Sequence, residues 1–337
     1  MADLHDPAAA AALLLDGYRP GTQRSYMAKC RAFFRYCQRY HRAPLPASVP
    51  TVIGYILYEM QRGQLAPPSL QKYLSAVASL HGVAGHEDPT KDRLVQLAIF
   101  GFRAHALERA GGELALQRLP LPAAFILQVC DLGLSTPDAH LQLQCAGLAL
   151  GYVLFNRPGA AACMRRCDVA FTAHGLELQV VDFKMALRTG RERLSFTVPV
   201  DVDPAKPDKV ADLVRLALRS HDAAARHPRA MLFADPALPA PTRRFWLAAR
   251  VTNSWLQRAM QQLQLVAPLG GRYQGHSLRS GAATEAYAIG LPVPMIAEMM
   301  GHASVETTLL NYVKTRWRAT PAAREVLGRY LPSHLRL

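Results

Sequence analysis

Acid is what this sequence has little of. Asp and Glu number 25 against 39 Lys and Arg, for a formal net charge of +14, and no acidic residue occurs between Asp16 and Glu59. Other shortages narrow the field. The six cysteines, Cys30, Cys37, Cys130, Cys145, Cys163 and Cys167, form no CxxC pair. Cys163 and Cys167 also lack the second His or Cys pair of a zinc site. They are read as buried or reduced thiols of an intracellular protein. No apolar run is long enough to cross a bilayer. The N-terminal MADLHDPAAAAALLLDGYRP has no basic segment before its short apolar run, so it is not read as a signal peptide. There is no internal repeat and no long low-complexity tract.

What is present is enough apolar material for more than one core. The chain has 337 residues, 50% of them hydrophobic, and that length favours two domains. In the first third, TQRSYMAKCRAFFRYCQRYHR places Tyr26, Cys30, Phe33, Phe34 and Cys37 at helical spacing, with Thr22 as the expected N-cap. VPTVIGYILYEMQRG, PPSLQKYLSAVASLHGVAG (Ser69 expected as its cap) and DRLVQLAIFGFRAHALERAGG read as three more helices. Together they predict an all-α bundle over residues 1–110. GGELALQRLP, residues 111–120, reads as a linker. Residues 121–337 form the second domain. There PAAFILQVCDLG and AHLQLQCAGLALGYVLFN are helical, the latter central to a core. The stretch from Asp168 to Val200 alternates and carries turn signals at His174-Gly175 and Thr189-Gly190, which predicts a small antiparallel sheet. Helices resume around 207–225 and 242–265. The expected class is therefore mainly α with a small antiparallel β-sheet.

The charge is not spread evenly. Inside the acid-free gap Arg31, Arg35 and Arg39 recur every four residues, one stripe of a helix. Arg24, Lys29 and Arg42 extend it. A charge run usually means a solvated face, but such faces mix both signs. A long face of one sign favours a polyanion, and phosphate contact along duplex DNA is the reading adopted for all six residues.

A second group lies in GHSLRSGAATEAYAIGLPVPMIAEMMGHASVETTLLNY, residues 275–312: His276, Arg279, His302 and Tyr312. A helix starting at Gly275 puts His276 and Arg279 one turn apart on one face. Gly290 and Pro292 end it, Gly301 ends a short second helix, and Ser304 is placed to cap a third that carries Tyr312. Taken singly, each residue has an ordinary explanation: a helix-end histidine, a packing tyrosine, an arginine on a carboxylate. Taken together they match what breaking a phosphodiester needs. Forked cations hold the phosphate oxygens, a phenol attacks, and proton carriers serve the nucleophile and the leaving sugar oxygen.

The order His-x-x-Arg, Gly-His, Tyr resembles the second signature box of the tyrosine recombinases, the phage-integrase family. FNRPGAAACMRRCDVAF resembles the first box, with Arg157 as first arginine, and VVDFKMALRTGRERLSF resembles the hairpin that carries the family lysine, with Lys184 the best match and Arg188 or Arg191 as alternatives. The resemblance covers roughly residues 120–320. It implies a two-domain DNA clamp. It also implies a metal-independent, cofactor-free enzyme that cleaves and rejoins duplex DNA through a 3′-phosphotyrosine. Such an enzyme acts as a homotetramer on recombination sites (monomer or dimer otherwise) in integration, excision or transposition of a mobile element. In that scheme Tyr312 is the nucleophile. Arg157 and Arg279 hold the non-bridging oxygens, Lys184 protonates the leaving group, His276 assists proton movement and His302 hydrogen-bonds a phosphate oxygen. The C-terminal TPAAREVLGRYLPSHLRL, with an apolar stripe at Val326, Leu327, Tyr330 and Leu331, fits either a segment exchanged between subunits or a helix packed on its own domain. The implied location is the cytoplasm or nucleoid, or the nucleus of a eukaryote, with no membrane association.

Two departures stand out. Ala160 occupies the place where the family usually has an acid. The interval from His302 to Tyr312 is one residue longer than the commonest family spacing, and one residue turns a helix by about 100°, so the third helix must start late or carry a bulge. Two other readings remain: a type IB topoisomerase, and a DNA-binding protein that kept the fold without the chemistry.

Overall fold

The computed structural model describes residues 20–110, 117–172, 175–180, 194–198, 208–223, 227–233, 245–302, 304–313 and 320–327. The chain divides into two units, Met1–Ala115 and Leu116–Leu337.

The first unit is helical: α1 (Pro20–Arg39), α2 (Val49–Arg62), α3 (Pro67–Val83) and α4 (Arg93–Arg109), with a single 3-10 turn at Pro89–Lys91. Its core gathers Phe33, Val52, Tyr55, Leu70, Leu74, Val77, Ile99 and Phe102. Phe33 meets Tyr55 edge to face, 5.2 Å between ring centroids. Two expected caps fall elsewhere. α1 starts at Pro20, so Thr22 lies inside its first turn. α3 starts at Pro67 with Ala66 as its N-cap, so Ser69 also lies inside. Proline wins both places because its fixed φ suits the first helical turn and its missing N–H is one the turn leaves unpaired anyway. The buried His81 pins the loop before α2: its Nε2 accepts from Ala47 N at 2.8 Å while Nδ1 donates to the Val77 carbonyl.

The second unit is built round α6 (Ala139–Val153), buried at nearly every position from Leu141 onward. Asp138 caps it, accepting from His140 N and Leu141 N, and those amide donors hold its carboxyl below the ordinary range. Around α6 pack α5 (Ala123–Ser135), α7 (Pro158–Ala162), α8 (Lys209–Ala223), α9 (Phe245–Gln262) and α10 (Gly275–Ala288). α11 (Val293–Met299), α12 (Val305–Asn311) and α13 (Pro321–Leu327) follow. Strands β2 (Val169–Thr172), β3 (Gly175–Val180) and β4 (Leu194–Val198) form an antiparallel sheet in the order β2-β3-β4. Residues β1 (Gln117–Arg118) and β5 (Gly271–Arg272) pair in parallel. The class is the one expected, mainly helical with a small antiparallel sheet.

Glu285 of α10 is 1% exposed and ties three helices together. Its carboxylate accepts from Ala123 N at the start of α5 and from the Thr320 hydroxyl, which in turn caps α13. α13 buries Ala323, Val326 and Leu327 against its own unit, packing on α5 and α10. Tyr330 and Leu331 lie outside the described residues. The thiols are free, and burial pushes Cys37 up to about 11 and Cys145 and Cys163 up to about 12. No helix among the described residues is long and apolar enough to cross a membrane.

α10 lies unusually close to the segment that precedes α5. Leu121 N donates to the Ser277 carbonyl at 3.0 Å, and a Cβ on Gly281 would stand 2.1 Å from the Leu121 carbonyl oxygen. That oxygen is backbone and cannot swing aside. Gly281→Ala is therefore expected to destabilise the second unit by about 3 kcal/mol, read as a lowered urea midpoint with little change in slope.

Candidate active site

The ends of α10, α11 and α12 bring Arg279, His302 and Tyr312 together, with His276 one turn before Arg279 and Arg157 two residues after the Phe155 carbonyl that Arg279 binds. α6 stops in a Schellman motif: Asn156 N bonds the Gly151 carbonyl and Phe155 N bonds the Tyr152 carbonyl. Phe155 takes the left-handed position, at φ 52, where glycine is usual. The half-buried Arg157 follows two residues later, just before Pro158 opens α7. α10 opens at Gly275 with a reciprocal box between Gln274 and Ser277, which sets His276 in its first turn and Arg279 one turn on. α11 ends like α6: Gly301, at φ 61, occupies the left-handed place, and His302 N bonds the Ala297 carbonyl. The Gly-His dipeptide thus has a local reason. Glycine lets the chain turn, and the next residue is swung back toward α10.

Arg279 is 2% exposed, the largest fully buried side chain among the described residues. Its two terminal nitrogens donate to the Phe155 and Met300 carbonyls, and Nη2 also lies 2.9 Å from His302 Nε2. The fork therefore joins the turn that leads to Arg157 with the turn that carries His302. Its named acceptors are neutral, so the buried positive charge still favours an anion. A guanidinium has only donors, so His302 Nε2 must accept. The imidazole proton then sits on Nδ1, 2.7 Å from the Thr308 hydroxyl, which takes it. The Tyr312 ring lies 4.8 Å from the His302 ring and 5.4 Å from the Arg279 guanidinium carbon, centroid to centre.

The extra residue before Tyr312 is absorbed at the end of α12. Tyr312 is the C-cap, with φ −122, and both its N–H and that of Val313 bond the Thr308 carbonyl. This widened last turn keeps the ring beside Arg279 and His302. The Thr284 hydroxyl donates to the Tyr312 carbonyl at 2.9 Å and fixes the same turn to α10.

Thr308 escaped the sequence reading, because a threonine inside a short helix carries no signal of its own. It is fully buried, and it takes the His302 Nδ1 proton with its hydroxyl and holds the Tyr312 backbone with its carbonyl. Thr308→Val keeps the shape and removes the acceptor. It is expected to slow DNA cleavage roughly ten- to hundredfold at unchanged duplex affinity. Thr308→Ser should restore most of the rate. Imidazole 15N shifts should keep the Nδ1–H form that Arg279 dictates, while the Nδ1–H proton loses its hydrogen-bonded shift in the valine variant.

The other candidates are placed as follows. Lys184, with Arg188 and Arg191, lies outside the described residues. Ala160 is 9% exposed and packed into the core of the second unit. Arg24, Arg31, Arg35, Arg39 and Arg42 belong to the first unit and are exposed, while Lys29 is half-buried beside the Tyr73 ring at 5.7 Å. Among the described residues no group of His, Cys, Asp or Glu is placed to hold a metal ion.

The sequence model of the phage integrase family matches residues 165–317. Recombinase cre of Escherichia phage P1 is 24% identical over 300 residues, spanning 87% of this chain and 83% of that protein. Residues 165–317 are thus a phage integrase family segment. Two solved structures carry its fold. A lambda integrase tetramer bound to a Holliday junction has a TM-score of 0.57 at 16% identity, covering 93% of this chain and 78% of that one. The Tn1549 transposon integrase in complex with transposon right-end DNA also has a TM-score of 0.57, at 12% identity, covering 91% and 95%. The segment matched to the phage integrase family contains His276, Arg279, His302 and Tyr312, while Arg157 lies just upstream of it.

Proposed function

We propose that this protein is a site-specific DNA recombinase acting in integration, excision or transposition of a mobile element. Tyr312 Oη attacks the scissile phosphorus. The bond to the sugar 5′ oxygen breaks, which leaves a 3′-phosphotyrosine and a free 5′-hydroxyl. Arg157 and Arg279 bind the non-bridging oxygens and offset the charge that builds on them. Lys184 gives the leaving oxygen its proton. His276 assists transfer of the tyrosine proton, and His302, once the phosphate draws Arg279 Nη2 away and Nε2 takes up a proton, donates from Nε2 to a phosphate oxygen. The 5′-hydroxyl of a second strand then attacks the protein–DNA bond, restores the diester and frees Tyr312. The phosphotyrosine keeps the energy of the broken ester, so the cycle draws on no nucleotide triphosphate.

Domain 1–110 supplies the basic stripe of α1 for backbone contact, and domain 121–337 supplies the chemistry. The partner is a duplex recombination site, with four copies of the chain in the synaptic complex, and the protein works inside the cell.

One observation carries the reading. Arg279, His302 and Tyr312 come from three different helix ends, and they meet with the guanidinium buried against the phenol ring. The test is to trap wild-type protein on nicked suicide duplexes made from DNA flanking its own gene and to map the DNA-linked peptide. The expected product is a peptide containing Tyr312. If duplex is bound but no flanking sequence yields a covalent product, the protein is a DNA-binding relative without the chemistry.

A further inference from the structure

The short parallel pairing of β1 with β5 sets Arg118 in register with Arg272. Both side chains are exposed. Residues in register on neighbouring parallel strands project to the same face, with backbones about 4.8 Å apart. Like charges set side by side in this way weaken a pairing, and arginine does not shed its charge near neutrality. No carboxylate relieves the repulsion among the described residues: neither arginine makes an ion pair there.

The sequence on both sides of Arg272 shares the sign. No acidic residue occurs between Asp235 and Glu285, a span that includes Arg250, Arg258, Arg272 and Arg279. Of these, Arg258 is already paired with Asp138 at 2.8 Å. The first turn of α10 has no acid either. The pair is also firmly tied to the catalytic helix. Leu119 N bonds the Arg272 carbonyl and Leu121 N bonds the Ser277 carbonyl, both at 3.0 Å, so β1 is stitched to β5 and then to α10 just past His276. A repulsive pair built into a rigid element, rather than left on a loose loop, is the arrangement expected where an anion completes it.

We propose that Arg118 and Arg272 together clamp one backbone phosphate of duplex DNA, beside the phosphate that Tyr312 attacks. Two guanidinium forks present enough donors to hold both free oxygens of a diester. A phosphate contact of this kind carries no sequence information but fixes the register of the duplex on the protein. Here it would set which phosphate faces Arg279. The choice of ligand rests on the proposed function; the repulsive pair does not.

The experiment uses the full chain and the variants Arg118→Gln, Arg272→Gln and their double. Affinity for a short mixed-sequence duplex is measured over a series of salt concentrations, with thermal unfolding of the free protein alongside. Each single variant should lose roughly three- to tenfold in affinity at low salt, and the slope of log K against log salt should fall by about 0.9. The double should lose about the same slope, since both side chains hold one phosphate. The free variants should unfold at the wild-type temperature or above, because a repulsion has been removed. A double variant with wild-type affinity and slope overturns the clamp, and so does a drop in unfolding temperature in all three variants, which would mark the arginines as structural. Adduct trapping on the same preparations separates the two proposals. Wild type that forms the Tyr312 adduct, together with a double variant of unchanged slope, sinks the clamp alone, whereas wild type that binds no duplex sinks both.

Discussion

Tyr312→Phe is expected to abolish every covalent protein–DNA product while leaving duplex affinity within about twofold, because the substitution removes one oxygen and no phosphate-binding charge. The ring contacts that hold residue 312 do not involve its hydroxyl. They are the tilted ring contact with His302 and the face offered to Arg279, and the Thr284 bond is made to the backbone carbonyl. The phenylalanine variant should therefore fold, bind and place its ring as wild type does. Complete loss of adduct in a stable, DNA-competent protein assigns the nucleophile. Persistence of adduct would move that role to Tyr287 or Tyr330. Tyr287 lies on α10 and packs against the core of the second unit, so a nucleophile there would require the helix to shift. Partial loss is not expected, since a phenyl ring has no lone pair to attack with.

How much of this was legible in the sequence depends on how locally each feature is determined. Gly301-His302 was legible because a left-handed turn needs glycine and the residue after it is then placed by the helix end. The antiparallel strands β2, β3 and β4 are legible from their alternation, while His174, the Thr189-Gly190 turn and Lys184 fall outside the described residues. The left-handed turn at Phe155 was not legible, since phenylalanine gives no sign of positive φ. That turn is held by the burial of the ring and by the hydrogen bonds of the Schellman motif, both tertiary facts. The caps expected at Thr22 and Ser69 fall elsewhere because two good signals compete and proline, fixed in φ, prevails. The long interval before Tyr312 was legible only as a conflict. Nothing local says whether an extra residue is absorbed at the start of a helix, in its middle or at its end. The widened turn on the Thr308 carbonyl supplies the answer, and it needed Thr284 on another helix to fix it. Pairs brought together from far apart, such as Arg118 with Arg272, leave no trace in either segment alone.

The contacts of Arg279 lead to the second large expected effect. Arg279→Lys keeps the charge but not the fork. A lysine ammonium is a compact charge on a flexible stem, and from the same backbone position it cannot donate to the Phe155 and Met300 carbonyls together while also meeting His302 Nε2. One of those carbonyls is left without its donor, and His302 loses the partner that fixes its Nε2 as an acceptor. Cleavage should fall roughly a hundred- to ten-thousandfold, equivalent to about 3–5 kcal/mol of transition-state stabilisation. Duplex affinity should change little, because most phosphate contacts lie elsewhere and the charge is retained. Folding should weaken as well, by about 1–3 kcal/mol for a buried carbonyl left unpaired, so single-turnover cleavage has to be measured well below the variant's unfolding temperature. A lysine variant that cleaves within tenfold of wild type would mean that charge alone, and not the forked link between the Arg157 turn and the His302 turn, is what the chemistry uses. The convergence of those two turns on one buried guanidinium would then be a packing device, and the phosphate would have to be held chiefly by Arg157.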